Sequence, residues 1–189
     1  MNRRGQSLNL PNLLTLSRIG LIPVFVALFL IEPSPFIAVL SAAVFAVASV
    51  TDWLDGYVAR RRQQITDLGK LLDPIADKVL VLAALVVLVE AQRAPGWLVI
   101  ILLAREFAIT ALRAVAAIDG HIIAADRLGK WKMAAQTAAV IVLILEPALP
   151  AWAHPVGLGL LVAATALALV SGWQYAATYR RTIGSASTP

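Results

Sequence analysis

Six apolar stretches, each ended by turn chemistry or by charge, divide this 189-residue chain almost end to end. They fall at about 17–32, 36–59, 70–91, 96–118, 130–149 and 154–178. Between them stand Glu-Pro-Ser-Pro at 32–35, Arg-Ala-Pro-Gly at 93–96, Asp-Gly at 119–120, and a segment running from Glu146-Pro147 to His154-Pro155. A helix needs roughly 20 residues to cross the hydrocarbon of a bilayer. No water is available there, so every backbone polar group must be bonded within the segment. The layout therefore predicts an all-α integral membrane fold of six transmembrane helices.

Composition enters as a filter. Hydrophobic residues make up 60% of the chain and mean hydropathy is +0.81, where soluble domains run at about 45–50% apolar. Without cysteine there is no disulfide scaffold, thiolate metal site or cysteine nucleophile. The chain is basic, with a net charge of +5. In so apolar a sequence the cations serve orientation and anionic head groups, and no nucleic acid partner is expected. The opening MNRRGQSLNLPNLL has no small-residue cleavage site and reads as a retained lead-in. Leu8, Leu10, Leu13, Leu14 and Leu16 beside Asn9, Asn12 and Arg18 predict a short interfacial helix within residues 1–16. No linker or low-complexity block follows, so residues 1–189 read as one domain. Fourteen of the sixteen basic residues fall on one side of a six-span arrangement, with Arg93 on the other and Arg105 mid-span. The positive-inside rule places both termini in the cytoplasm.

Charge inside the apolar stretches is the second constraint. Only residues 79–89 separate Lys78 from Glu90, so a full third span reaches back to Lys70 and carries Asp73, Asp77 and Lys78 into membrane depth. The second span has uncharged residues from Phe36 to Thr51, then Asp52 and Asp55; the fourth carries Arg105 and Glu106. Each such charge costs about 2.5–3.5 kcal/mol on the insertion scale, so it faces a cavity or a partner. Asp52 and Asp55 are i,i+3, with Gly56 and Ala59 on the same helical face, and Gly69, Asp73 and Asp77 form an i, i+4, i+8 ridge. Pro74 is expected near the start of its helix, where a missing N–H is cheapest. Four converging carboxylates repel one another unless cations lie between them, and an all-oxygen donor set suits Mg²⁺ or Mn²⁺. The bare backbone at Gly56, Ala59 and Gly69 leaves room for something flat. The plainer reading is four aspartates solvated at helix ends. Two functional classes stay open on the residues alone: an enzyme holding divalent ions, or a transporter conducting them. The apolar far halves of the spans argue against a conduction path.

From Asp52 to Asp77 the chain reads D-x-x-D-G-x-x-A-R-x8-G-x-x-x-D-x-x-x-D. This resembles the signature of the CDP-alcohol phosphotransferases, and the likeness extends over nearly the whole chain. LNLPNLLTLSRIGLIPVF, REFAITALR and LGKWKMAAQ resemble the branch of that family that makes phosphatidylglycerophosphate, although Met133 stands where the last motif usually has Thr. The resemblance implies transfer from CDP-diacylglycerol to glycerol 3-phosphate with release of CMP; sister enzymes use inositol phosphate or phosphatidylglycerol. It implies two divalent cations, Mg²⁺ or Mn²⁺, held by Asp52, Asp55, Asp73 and Asp77. It also implies CDP contacts at Asp52, Gly56, Ala59, Arg60 and Gly69, and Asp77 as the base that takes the hydroxyl proton. A homodimer in a bacterial inner membrane, with a cytoplasmic active site, is part of the same expectation. For the acceptor phosphate, the available cations are Arg105, Arg113, Lys130 and Lys132, with Arg105 and Arg113 eight apart on one helix face.

Overall fold

In the computed structural model, residues 10–62, 67–118 and 127–186 are described, with side chains described for 20–51, 78–118 and 128–182. Every regular element among the described residues is a helix. The elements are α1 (Leu10–Phe29), α2 (Pro35–Arg62), α3 (Asp67–Glu90), α4 (Gly96–Ile118), α5 (Arg127–Ile144), a 3₁₀ turn at Glu146–Ala148, and α6 (Ala153–Ala186).

Local chemistry sets most of these boundaries. Ser34 caps α2, its Oγ accepting from the Ile37 N–H at 3.2 Å, and Pro35 follows at the first helical position. The end of α3 is a Schellman turn: the Arg93 N–H reaches the Leu88 carbonyl at 2.8 Å and the Gln92 N–H reaches Val89 at 3.0 Å. Gln92 takes the left-handed position usually given to glycine, with φ 58°. α5 stops at Ile144, short of the expected 149, because Pro147 disfavours helix in the residue before it; the chain instead makes the 3₁₀ turn.

Three other boundaries depart from expectation. α1 runs unbroken from Leu10 to Phe29, so the described part of the lead-in continues the first helix. α3 begins at Asp67, where an acidic residue favours a helix N-terminus; Pro74 therefore falls in its interior. α6 continues past 178 to Ala186.

Helices alternate in direction, so their ends gather at two opposite faces of the bundle. α1 packs on α2 and α3, α5 lies along α6, and α4 rests on α6. The core centres on Phe25, Phe45, Leu85, Leu88, Leu102, Leu143 and Leu161. Buried alanines at 84, 139, 164 and 168 permit close helix approach. The outward surface is also apolar, with Phe36, Ile100, Phe107, Val162 and Leu169 exposed. Among the described residues, Ala153–Thr182 is the segment long and apolar enough to cross a membrane; Gly20–Phe29 and Pro35–Thr51 are shorter apolar runs.

Candidate active site

The helices that carry the signature pair in space. Asp52, Asp55, Gly56, Ala59 and Arg60 belong to α2, and Gly69, Asp73 and Asp77 to α3, which pack against each other. Helical spacing puts Asp52 and Asp55 on one face of α2, and Gly69, Asp73 and Asp77 on one face of α3. The side chains of these eight residues lie outside the described ones. Among the described residues, no three His, Asp or Glu side chains gather into a metal site.

Beyond α3, a chain of charged side chains links α4, α5 and α6. Arg105 is anchored across the bundle: its Nε donates to the Ala168 carbonyl of α6 at 2.6 Å, and its Nη2 to Ser171 Oγ at 2.5 Å. Its Nη1 donates to Glu106 Oε1 at 3.3 Å. Glu106 in turn receives Lys132 Nζ of α5 at 2.7 and 2.6 Å, so one carboxylate ties together two cations on different helices. Gly172 makes room for the Arg105 anchor, since a Cβ there would lie 3.1 Å from Nε.

Two cavities flank this chain of charges. The larger, about 490 Å³, lies between α4 and α6 near the start of α5, and Arg105, Arg113 and Arg181 line it together. Arg113 lies over the Tyr175 ring, 5.3 Å from its centroid. The smaller, about 40 Å³, lies between α3, α4 and α5, with Lys78, Glu106, Lys132, Met133 and Gln136 on its walls.

The four cations expected to meet an acceptor phosphate therefore divide. Arg105 and Arg113 share a cavity, as their spacing of eight suggests. Lys132 is buried against Glu106 beside the smaller cavity, and Lys130 is exposed. Arg181 is one of the fourteen basic residues that the sequence places on one side, and it joins Arg105 and Arg113 at the larger cavity. Its signal was present as a polar stripe on an apolar helix, Ser171, Gln174, Thr178 and Arg181, at i, i+3, i+7 and i+10.

At the opposite face, Arg93 clamps the end of α5. Its Nη1 donates to the carbonyls of Leu143 and Ile144 at 3.4 and 3.2 Å, and its Nε stands 3.9 Å from Glu146. The guanidinium lies over Phe29 at 5.8 Å. Burial lowers the Arg93 pKa from its ordinary value while the Glu146 carboxylate opposes the shift. Glu146 also meets His154 Nδ1 at 3.1 Å.

Comparison of the sequence with known proteins points to one family. The family model for CDP-alcohol phosphatidyltransferase covers residues 8–173. A Bacillus subtilis (strain 168) protein named CDP-diacylglycerol–glycerol-3-phosphate 3-phosphatidyltransferase is 44% identical over 180 residues, spanning 88% of this chain and 93% of its own. Proteins of the same name from Pseudomonas fluorescens and Haemophilus influenzae are 41% identical over 176 residues and 49% identical over 139. The first match covers 89% of this chain and 88% of the relative; the second, 70% and 73%. With a match running through residues 8–173 and relatives 41–49% identical over most of its length, the chain belongs to the CDP-alcohol phosphatidyltransferase family.

Proposed function

We propose that this enzyme transfers the phosphatidyl group of CDP-diacylglycerol to glycerol 3-phosphate, giving phosphatidylglycerophosphate and CMP. The observation that carries the reading is the 44% identity, over 88% of the chain, to a relative named for that reaction. Cations around the α4–α6 cavity support it, because a phosphate monoester, near a dianion, calls on more of them than the single charge of a phosphodiester does. This favours glycerol 3-phosphate over phosphatidylglycerol; inositol phosphate fits the same charge.

Asp52, Asp55, Asp73 and Asp77 are the residues that would hold two Mg²⁺ or Mn²⁺ ions; four carboxylates on two packed helices are a suitable hard-oxygen donor set. When bound, such a pair stabilises charge on the attacking and leaving oxygens of an in-line displacement. Gly56, Ala59 and Gly69 give the cytidine a bare surface, and Arg60 neutralises the diphosphate. Asp77 takes the proton from the attacking hydroxyl, a contribution of about 10²–10⁴-fold. Arg105 and Arg113 bind the acceptor phosphate. Arg105 is suited to this because three of its donors are already fixed to α6 and Glu106, so little side-chain entropy remains to be lost.

We place the chain across a bacterial inner membrane with six spans and the active site cytoplasmic. The exposed tryptophans support two interfacial belts: Trp97 and Trp152 lie at one end of the bundle, Trp131 and Trp173 toward the other. From the start of α6 to Trp173 the rise is about 30 Å at 1.5 Å per residue, the thickness of a hydrocarbon core.

The deciding experiment is an acceptor panel with purified protein, CDP-diacylglycerol and Mg²⁺ or Mn²⁺, following CMP release. Glycerol 3-phosphate should support release, and EDTA should stop it. Release with inositol phosphate but not glycerol 3-phosphate would reassign the acceptor. Ion flux into liposomes without release from any alcohol would replace the enzyme with a transporter.

A further inference from the structure

Gln136 is buried, with 3% of its surface exposed, yet its Oε1 has no hydrogen-bond partner, unlike the other buried side-chain polar atoms among the described residues. A buried acceptor without a donor is costly, and it marks a place where a ligand or water brings the donor. The side chain lines the 40 Å³ cavity between α3, α4 and α5. We propose that Gln136 is a specificity-determining residue, its amide oxygen accepting a hydrogen bond from the acceptor hydroxyl that does not react. The proposal rests on the glycerol 3-phosphate reading and deepens it.

The cavity's chemistry defines the group it takes. Val81, Leu82, Leu103 and Phe107 form apolar walls, and Glu106 and Lys132 there already satisfy each other. Met133 brings no hydroxyl, so Gln136 is the neutral hydrogen-bonding side chain in the described lining. An unpaired carbonyl oxygen selects an O–H or N–H and rejects an anion. A volume of 40 Å³ exceeds the roughly 10–15 Å³ that one water requires; a hydroxyl and the carbon that bears it fit. Lys132 is one turn from Gln136 on the same face of α5, and Lys78, next in sequence to Asp77, reaches the cavity from α3. A secondary alcohol meets both conditions: an apolar carbon and an O–H donor. Glycerol 3-phosphate has two hydroxyls, and attack consumes only one.

The test compares glycerol 3-phosphate with 3-hydroxypropyl phosphate, which keeps the phosphate and primary alcohol but lacks the secondary hydroxyl. CMP release by the purified full chain is the readout. Sites built to hydrogen-bond a substrate hydroxyl reject analogues lacking it by large factors, so the unsubstituted protein should prefer glycerol 3-phosphate at least ~100-fold in kcat/KM. Gln136→Met should bring that ratio to within a few-fold, chiefly by slowing glycerol 3-phosphate, with the KM for CDP-diacylglycerol unchanged. Gln136→Asn should recover part of the preference. An unsubstituted protein that does not distinguish the two acceptors overturns the proposal without any variant. So does Gln136→Met slowing both acceptors alike, the result if the cavity holds only water or Gln136 merely packs. CMP release from neither acceptor is a different failure, that of the acceptor reading itself.

Discussion

Lys132 is 3% exposed and lies within 2.7 Å of both Glu106 oxygens. Breaking such a pair costs more than the pair contributes, because the surviving charge stays buried: about 3–5 kcal/mol. Lys132→Met and Glu106→Gln should each lower the melting temperature, and the double variant should recover most of the loss. Tryptophan fluorescence during thermal unfolding reads this; a double variant no better than the worse single would mean the charges do not pair. At Asp77 the proposed role predicts a different signature. Asp77→Asn should all but abolish turnover while CDP-diacylglycerol still binds, and near-normal turnover would remove it as the base. The common cavity of Arg105 and Arg113 was legible from their spacing. So, in principle, was the parting of Lys130 from Lys132: two residues apart on a helix they point about 200° from each other. The partner of Glu106 could not be read, because nothing in α4 sets how α5 is rotated against it.

Among the helices, two glycines of α6 do different work. A Cβ at Gly157 would lie 2.7 Å from Leu143 Cδ2 and 2.8 Å from its Cγ, at the crossing of α5 and α6. Gly157→Ala should therefore destabilise by about 1–3 kcal/mol through overpacking, with activity per folded molecule retained. At Gly172 the nearest atom is Arg105 Nε at 3.1 Å, so Gly172→Ala should displace the guanidinium and raise the KM for glycerol 3-phosphate, with a smaller change in melting temperature. If both variants lose stability and activity in proportion, the distinction is wrong. A third element-level case is Gln92, whose φ of 58° suits glycine. Gln92→Gly should stabilise by about 0.5–1 kcal/mol, and an unchanged or lower melting temperature would count against that strain. Helix existence was legible because Pro and Gly mark the breaks. Helix ends were less so: the apolar lead-in gave no signal separating it from α1, and the polar tail of α6 gave none that the helix would continue.

The bundle as a whole has unlike ends. One gathers Arg113, Gly129, Thr178 and Arg181 around an open cavity. At the other, Arg93 ties the α3–α4 turn to the last carbonyls of α5, to Glu146 and to Phe29. Arg93→Met should cost about 1–2 kcal/mol by freeing those carbonyls and the helix-end dipole, and leave kcat nearly unchanged, because the proposed reacting groups belong to the far end. A large fall in kcat at full stability would show that the ends are coupled. Charge alone had marked this polarity, with Arg93 opposite fourteen basic residues, but not the latch, which needs helices distant in sequence to meet. In the proposed orientation, the latched end bears on how a membrane grows. Each catalytic cycle would add its new anionic lipid to the monolayer at the open end. Expansion of the opposite monolayer would then depend on a separate process that moves lipid across.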